Sequence, residues 1–231
     1  MIPENKTYIH TSKVHNLTSP GIVVPMLIDL FDPKSVLDVG CGIGTWLHSF
    51  QQHGVNDIMG IDGDFVDRSL LKEYVEEKKF SPLDLSKAFN LDRKFDMVIS
   101  LEVAEHLPER SADDFITSLC NHSDLVIFSA AIPGQGGQNH VNEQWMAYWI
   151  EKFEARHFKH YDIMRPLLWN EHKVDWWYKQ NMMVFSTRTL NYTQCPIQNM
   201  IHPDLFNQNL DYITYLQQYV KELETKLYVS K

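Results

Sequence analysis

Three glycines separated by single residues, Gly40, Gly42 and Gly44, follow the short apolar run Ser35-Val36-Leu37-Asp38-Val39. They precede a helix-forming stretch from Thr45 to Gln52. The turn lies at the carboxyl end of a buried strand, where doubly wound sheets leave a crevice at the switch in strand order. Glycine tolerates both the close approach of a ligand and torsions closed to other residues. The arrangement points to a sheet whose strands alternate with helices. Dinucleotide enzymes use a similar turn, so the glycines alone leave the ligand open.

The rest of the chain keeps the alternation. Pro20 opens a helix through Ile22–Phe31, which Asp32-Pro33 stops. Asp57–Asp62 reads as a second strand ending on an acid, followed by a helix over Ser69–Lys78 and a weak strand over Phe80–Leu85. Phe95–Ser100 is a clear strand, Ala112–Cys120 a helix and Leu125–Ser129 another buried strand. A loop containing Pro133-Gly134-Gln135-Gly136-Gly137 leads to a helix over Glu143–Phe153, then to strands near Phe158–Met164 and Met182–Thr187. The pattern predicts an α/β fold with a Rossmann-like, doubly wound, mostly parallel sheet. The last two strands, with no long helix between them, predict an antiparallel hairpin at its edge.

Residues 1–200 read as one domain, with an N-terminal lid and helix over 1–34 in which Tyr8, His10 and His15 could cover the ligand. Residues 201–231 read as a helical extension. There Ile213, Leu216, Val220, Leu223 and Leu227 alternate spacings of three and four. Such a seam fits a helix docked on its own domain, or a homodimer formed through that helix.

Composition narrows the partners. A net charge of -9 opposes a nucleic-acid groove, because phosphate binding rests on clustered Lys and Arg. No segment is long and apolar enough to span a bilayer, and the N-terminus lacks a secretory pattern. Cys41, Cys120 and Cys195 lie far apart with no CxxC pair, which suggests free thiols and a cytoplasmic location.

Acids at the strand ends say more about the ligand. Asp62 stands roughly twenty residues beyond the turn, placed to accept both hydroxyls of a ribose. Asp84 could take an adenine amino group, with the Leu85 backbone N–H donating to a ring nitrogen. A dinucleotide still fits these features. In order, however, VLDVGCGIGTWL, GIDGD, LDL and FDMVISLEVAEHLPE resemble the successive motifs of class I S-adenosylmethionine-dependent methyltransferases, over about Ser35 to Leu107. The resemblance implies a seven-stranded sheet with a reversed final strand. It implies S-adenosylmethionine as cofactor and S-adenosylhomocysteine as product. By matching position it assigns Asp38, Gly40, Gly42 and Gly44 to the methionine portion and close backbone approach. It assigns Asp62 to the ribose and Asp84 with Leu85 to the adenine. Ser100, Leu101 and Glu102 would line the cavity beside the methyl group.

The second half, FSAAIPGQGGQNHVNEQWMAYWIEKF with RPLLWN and VDWWYKQN, resembles a bacterial branch of the same superfamily. Its members are often encoded among surface-polysaccharide genes, which implies O-methylation of a sugar. Methylation of another small metabolite and an inactive cofactor-binding interaction module are the alternatives. DNA amino methylation is disfavoured, since Ser100-Leu101-Glu102-Val103 stands where an Asn/Asp-Pro-Pro-aromatic motif would be expected.

A hydroxyl acceptor needs alignment and removal of its proton. His140, in a polar cluster with Asn139, Glu143 and Gln144, and His106, after the fourth strand, are the candidate catalytic residues. Asn139, Glu143 and Gln144 would bind acceptor hydroxyls. Arg165, Trp169, Trp176 and Trp177, with Asp175, Tyr178 and Gln180, would form the rest of the acceptor site or pack an edge. Glu105, His106, His140 and Glu143 could meet around Mg²⁺. A metal is not favoured, because magnesium prefers oxygen ligands and no tight carboxylate cluster is legible.

Overall fold

The computed structural model describes residues 8–11, 14–192 and 199–229. Cys195 and the side chain of Leu227 lie outside the described residues. The elements run α1 (Thr18–Phe31), β1 (Ser35–Val39), α2 (Thr45–Gln52), β2 (Asp57–Asp62), α3 (Arg68–Tyr74), β3 (Phe80–Pro82) and β4 (Met97–Leu101). Then follow α4 (Ala112–His122), β5 (Leu125–Ser129), α5 (Met146–Glu154), β6 (Lys159–Tyr161), α6 (Met164–Leu168), α7 (Trp176–Asn181), β7 (Met183–Ser186) and α8 (Pro203–Val229).

The strands form one seven-stranded sheet in the order β3-β2-β1-β4-β5-β7-β6. β1 pairs parallel with both β2 and β4, in register Val36↔Ile58 and Val36↔Met97, so strand order reverses there. β7 runs antiparallel to β5 and β6. The sheet therefore has a parallel core and one reversed strand, as expected. The final pair is not a tight hairpin, since α6 and α7 fill its connection.

Alternation along the strands splits the core into two layers. On one face Val36, Ile58, Ile99, Ile127 and Val184 meet Val24 and Leu27 of α1, Trp46 and Phe50 of α2 and Leu168 of α6. On the other, Leu37, Val98, Val126 and Phe185 meet Phe115 and Leu119 of α4 and Trp149 and Phe153 of α5. Phe153 and Phe185 stack there with centroids 3.8 Å apart.

Several boundaries differ from the sequence expectation for local polar reasons. α1 starts before Pro20, which sits in the first turn where a missing N–H is harmless. The neighbouring Ser19 hydroxyl donates to Asp175 at 2.7 Å, tying α1 to the start of α7. β3 ends at Pro82 because Asp84 turns back to accept from the Ser86 N–H and hydroxyl. α5 begins three residues after Glu143, whose carboxylate serves the preceding loop instead of the helix. α8 anchors through buried Leu205, while Phe206 to Lys226 are exposed. Among the described residues no helix is long and apolar enough to cross a membrane.

Arg165 is only 2% exposed and makes a bidentate pair with Asp162, Nε to Oδ1 and one terminal nitrogen to Oδ2, both at 2.8 Å. It joins β6 to α6. Removing one member of such a pair strands a buried charge. Arg165→Ala is therefore expected to lower stability by about 3 kcal/mol or more, measured by urea unfolding; a loss under about 1 kcal/mol would contradict the structural role.

Candidate active site

At the carboxyl ends of β1, β2 and β4 the strand reversal opens a cavity of about 730 Å³, within the usual range of ligand sites. Gly40 and Cys41 form part of its floor, and the ends of β2, β3 and β4 its wall. The Gln135–Gln138 loop with His140, the aromatic start of α7 and the N-terminal segment close it.

The glycine turn has no room for side chains. Gly40 has φ +84°, and a Cβ there would lie 2.3 Å from a Val103 methyl. At Gly42, φ is +52° and a Cβ would meet the His10 ring at 2.9 Å, so the N-terminal segment lies directly on the turn. The Gly42 N–H donates to Asp62 Oδ2 at 2.7 Å, and the Gly63 N–H to Oδ1 at 2.6 Å. Burial still pushes the Asp62 carboxyl up to about 6, against these two bonds and Arg68. Asp38 lies behind the wall, buried, with no partner for Oδ2 among the described residues; burial and then Asp62 raise its pKa well above the usual carboxylate range.

Gly40, Asp62, Asp84, Leu85, Leu101 and Glu102 all line the cavity. Asp38, Gly42, Gly44 and Ser100 do not, and shape it from behind. Glu102 adopts φ +56° and accepts from Gln135 Nε2 at 2.7 Å and Asn181 Nδ2 at 3.1 Å. Its burial, opposed by those amides, raises its pKa.

Of the acceptor candidates, His106, His140, Trp176 and Trp177 line the cavity, with Tyr178 beside them. Glu143 stands one layer back, accepting from His140 Nδ1 and from the Gly134 and Gly136 N–H groups, each at 2.8 Å. Gln144 bonds Asn142, and Asn139 takes φ +60° in the same loop; neither lines the cavity. Arg165 and Trp169 lie away from it. The first is consumed by Asp162, and the second packs against His202 with centroids 4.6 Å apart. Their polar and aromatic character suggested an acceptor site, but each is satisfied inside the fold.

Tyr8, His10 and His15 lie over the cavity, and Tyr8 packs edge-on to His106 at 4.9 Å. Burial lowers the His106 pKa to about 4, helped by His140 and opposed by bonds to the Asn139 and Gln138 backbone. His10 and His15 are likewise lowered to about 4, chiefly by burial. Trp46, Phe65 and Gln135 also line the site. Nothing in their local sequence distinguished them, since Trp46 sits at a helical core position and Phe65 in a turn.

A family described as Methyltransferase domain matches residues 22–165. The chain belongs to this methyltransferase family. Solved structures with a similar fold include DesVI from Streptomyces venezuelae, 14% identical over 74% of this chain and 91% of that one, with TM-score 0.56. Another is the sugar N-methyltransferase KedS8 from Streptoalloteichus sp, 12% identical over 82% and 99%, TM-score 0.57. A third is magnesium protoporphyrin IX methyltransferase from Synechocystis with bound SAM, 18% identical over 80% and 87%, TM-score 0.56. At these identities the likeness is one of fold. No curated protein matches the sequence.

The site makes stability depend on pH in a stated direction. Folding raises the Asp62 pKa from about 4 to about 6. Its contribution is therefore fully present below about pH 4 and is lost as pH rises through about 6. Between pH 4 and 6.5 the stability of the wild type relative to Asp62→Asn is expected to fall by about 2–3 kcal/mol. A difference that stays flat in urea unfolding across that range would refute the burial argument.

Proposed function

We propose that the chain transfers a methyl group from S-adenosylmethionine to a hydroxyl of a sugar, either nucleotide-linked or at a glycan end. One observation carries the donor half: Gly40 after β1, Asp62 at the end of β2 and the Asp84–Leu85 pair after β3 follow three neighbouring strands, and all line the one cavity. That order suits the methionine, ribose and adenine portions of the donor. Each Asp62 oxygen accepts one backbone N–H and keeps lone-pair capacity for a ribose hydroxyl.

The acceptor oxygen would attack the methyl carbon in line with sulfur. The C–S bonding pair stays on sulfur as the neutral thioether, and the acceptor proton must leave. His140 is the better-placed base. Glu143 holds one of its nitrogens and leaves the other for the cavity, whereas His106 titrates too low to take protons readily near neutrality. Trp176, Trp177 and Tyr178 offer aromatic faces for a sugar ring. The sugar-methylating neighbour of the same fold supports the substrate class only by analogy. Another small metabolite is the second reading, because aromatic walls also suit flat acceptors. The acids Asp38, Asp62 and Asp84 speak against a degenerate binding module.

We assign residues 1–200 to the catalytic domain and 201–231 to an extension, and place the protein in the cytoplasm because Cys41 and Cys120 are free thiols. The extension suits a homodimer. Ile213, Leu216, Val220 and Leu223 are 39–51% exposed along α8, and a solvent-exposed apolar seam is stabilised by a second copy.

Calorimetry with S-adenosylhomocysteine is expected to show binding that Asp62→Ala weakens at least about tenfold, and that weakens on acidification through about pH 6 as Asp62 takes up its proton. Absence of wild-type binding would reject the donor assignment. Labelled-methyl transfer to nucleotide-sugars or glycans, lost in His140→Ala, is the acceptor test; transfer only to non-sugar metabolites would replace the acceptor. Light scattering should give a dimer that Leu216→Asp with Leu223→Asp converts to monomer. A monomeric wild type would exclude the seam as an interface.

A further inference from the structure

At the end of the cavity beside the Gln135–His140 loop, ligand atoms of Glu105, His106 and His140 all lie within 4.8 Å of one another. The two segments are stapled together, since the Glu105 carbonyl accepts from the Val141 and Asn142 N–H groups at 2.9 and 3.0 Å. The cluster is thus built by the backbone and does not depend on chance meetings of surface side chains.

Several of its polar atoms are buried and lack hydrogen-bond partners among the described residues. Glu105 is 0% exposed, yet neither carboxylate oxygen has a hydrogen-bond partner among the described residues. Nearby backbone N–H groups of Glu105 and Ala131 oppose the rise in its pKa without reaching hydrogen-bond geometry. An unpartnered buried carboxylate is costly unless a proton or a cation compensates it. His106 Nδ1 is also buried and has no hydrogen-bond partner among the described residues, so its lone pair is available to a cation. His140 gives Nδ1 to Glu143, leaving Nε2 for the cluster. Glu143 is itself held by two backbone N–H groups. A carboxylate behind a histidine in this way is the outer-shell pattern that orients metal-bound imidazoles. Gly137 makes room for it: a Cβ there would lie 2.2 Å from His140 Nε2.

We infer that Glu105, His106 and His140 bind one divalent first-row transition ion, of the zinc, cobalt, manganese or iron(II) class, at the acceptor end of the cavity. Two imidazoles and one carboxylate suit such ions better than magnesium, which favours oxygen. Tetrahedral bonds of about 2.1 Å put neighbouring ligand atoms about 3.4 Å apart, a separation that three side chains whose ligand atoms lie within 4.8 Å of one another reach by small rotations. The tight carboxylate cluster missing from the sequence is replaced by one carboxylate and two histidines from segments over thirty residues apart.

The ion's role, though not its binding, rests on the methyl-transfer reading. An acceptor hydroxyl on an open coordination position would have its pKa lowered. Its proton passes to water, its oxygen takes the methyl carbon, and the C–S pair stays on sulfur, with nothing oxidised or reduced. His140 is then a ligand, and the ion supplies the activation otherwise asked of a base.

The test uses the full-length, tag-free chain, stripped with chelator and titrated calorimetrically with Co²⁺, Zn²⁺ and Mg²⁺, with elemental analysis of the dialysed complex. The expected result is about one equivalent of Co²⁺ or Zn²⁺, bound more tightly than Mg²⁺. Glu105→Gln and His140→Ala should each weaken it at least about tenfold, and Glu143→Gln by about tenfold. Binding of S-adenosylhomocysteine should persist in these variants, which separates loss of the ion from loss of the fold. His140→Ala, at a partly exposed position, decides the matter if Glu105→Gln does not fold. No ion on the wild type, or an ion held equally well by His140→Ala, overturns the inference. Failure of S-adenosylhomocysteine binding with the ion still bound would reject the donor assignment alone.

Discussion

The mouth of the sheet depends on a turn made without side chains. Gly40 and Cys41 donate to the Ile61 carbonyl at 2.8 and 3.2 Å, Gly42 donates to Asp62, and the Gly40 backbone rests against Val103. One turn thus fastens β1 to β2 and to the segment after β4. These connections fix the spacing of the cavity walls. A methyl group added at Gly40 would have to displace Val103, and the +84° torsion would oppose it as well.

Acids are concentrated where the fold has the least water to offer them. Asp38, Asp62, Glu102 and Glu105 are all buried around one cavity, and burial leads the list of forces raising each pKa. They are compensated to different degrees. Asp62 has two backbone donors and Glu102 has the amides of Gln135 and Asn181. The Glu105 carboxylate has no donor in hydrogen-bond geometry among the described residues. Such an unequal distribution fits a site that expects ligands, with donor groups provided where the chain supplies them and omitted where something else must.

Second-half residues divide by whether the fold satisfies them internally. Trp176, Trp177 and Tyr178 reach the cavity because Ser19 and Asp175 bond each other and seat the start of α7 against α1. Arg165 and Trp169 carry side chains equally suited to a sugar phosphate, but Asp162 and His202 claim them. In sequence the two groups look alike.

What the sequence determined is local and periodic. The period-two strands, the helical spacings and the Gly40–Gly44 turn follow from torsional and side-chain preferences acting over a few residues. β1, α2, β2 and β5 accordingly begin and end where the residues indicate. That Asp62, Asp84 and Leu85 line the cavity was legible because the carboxyl ends of strands in a doubly wound sheet face its crevice, although β3 itself stops at Pro82. The tertiary structure alone decided which distant groups meet. Glu105 and His140 come together through backbone bonds between loops 35 residues apart, and Trp46 and Phe65 reach the cavity through the placement of α2 and the β2–α3 turn. Arg165 finds Asp162 only three residues away, yet becomes a buried structural pair because α6 packs under the sheet. Hydrogen-bond satisfaction in a dry interior depends on the whole packing arrangement, and no local spacing encodes it.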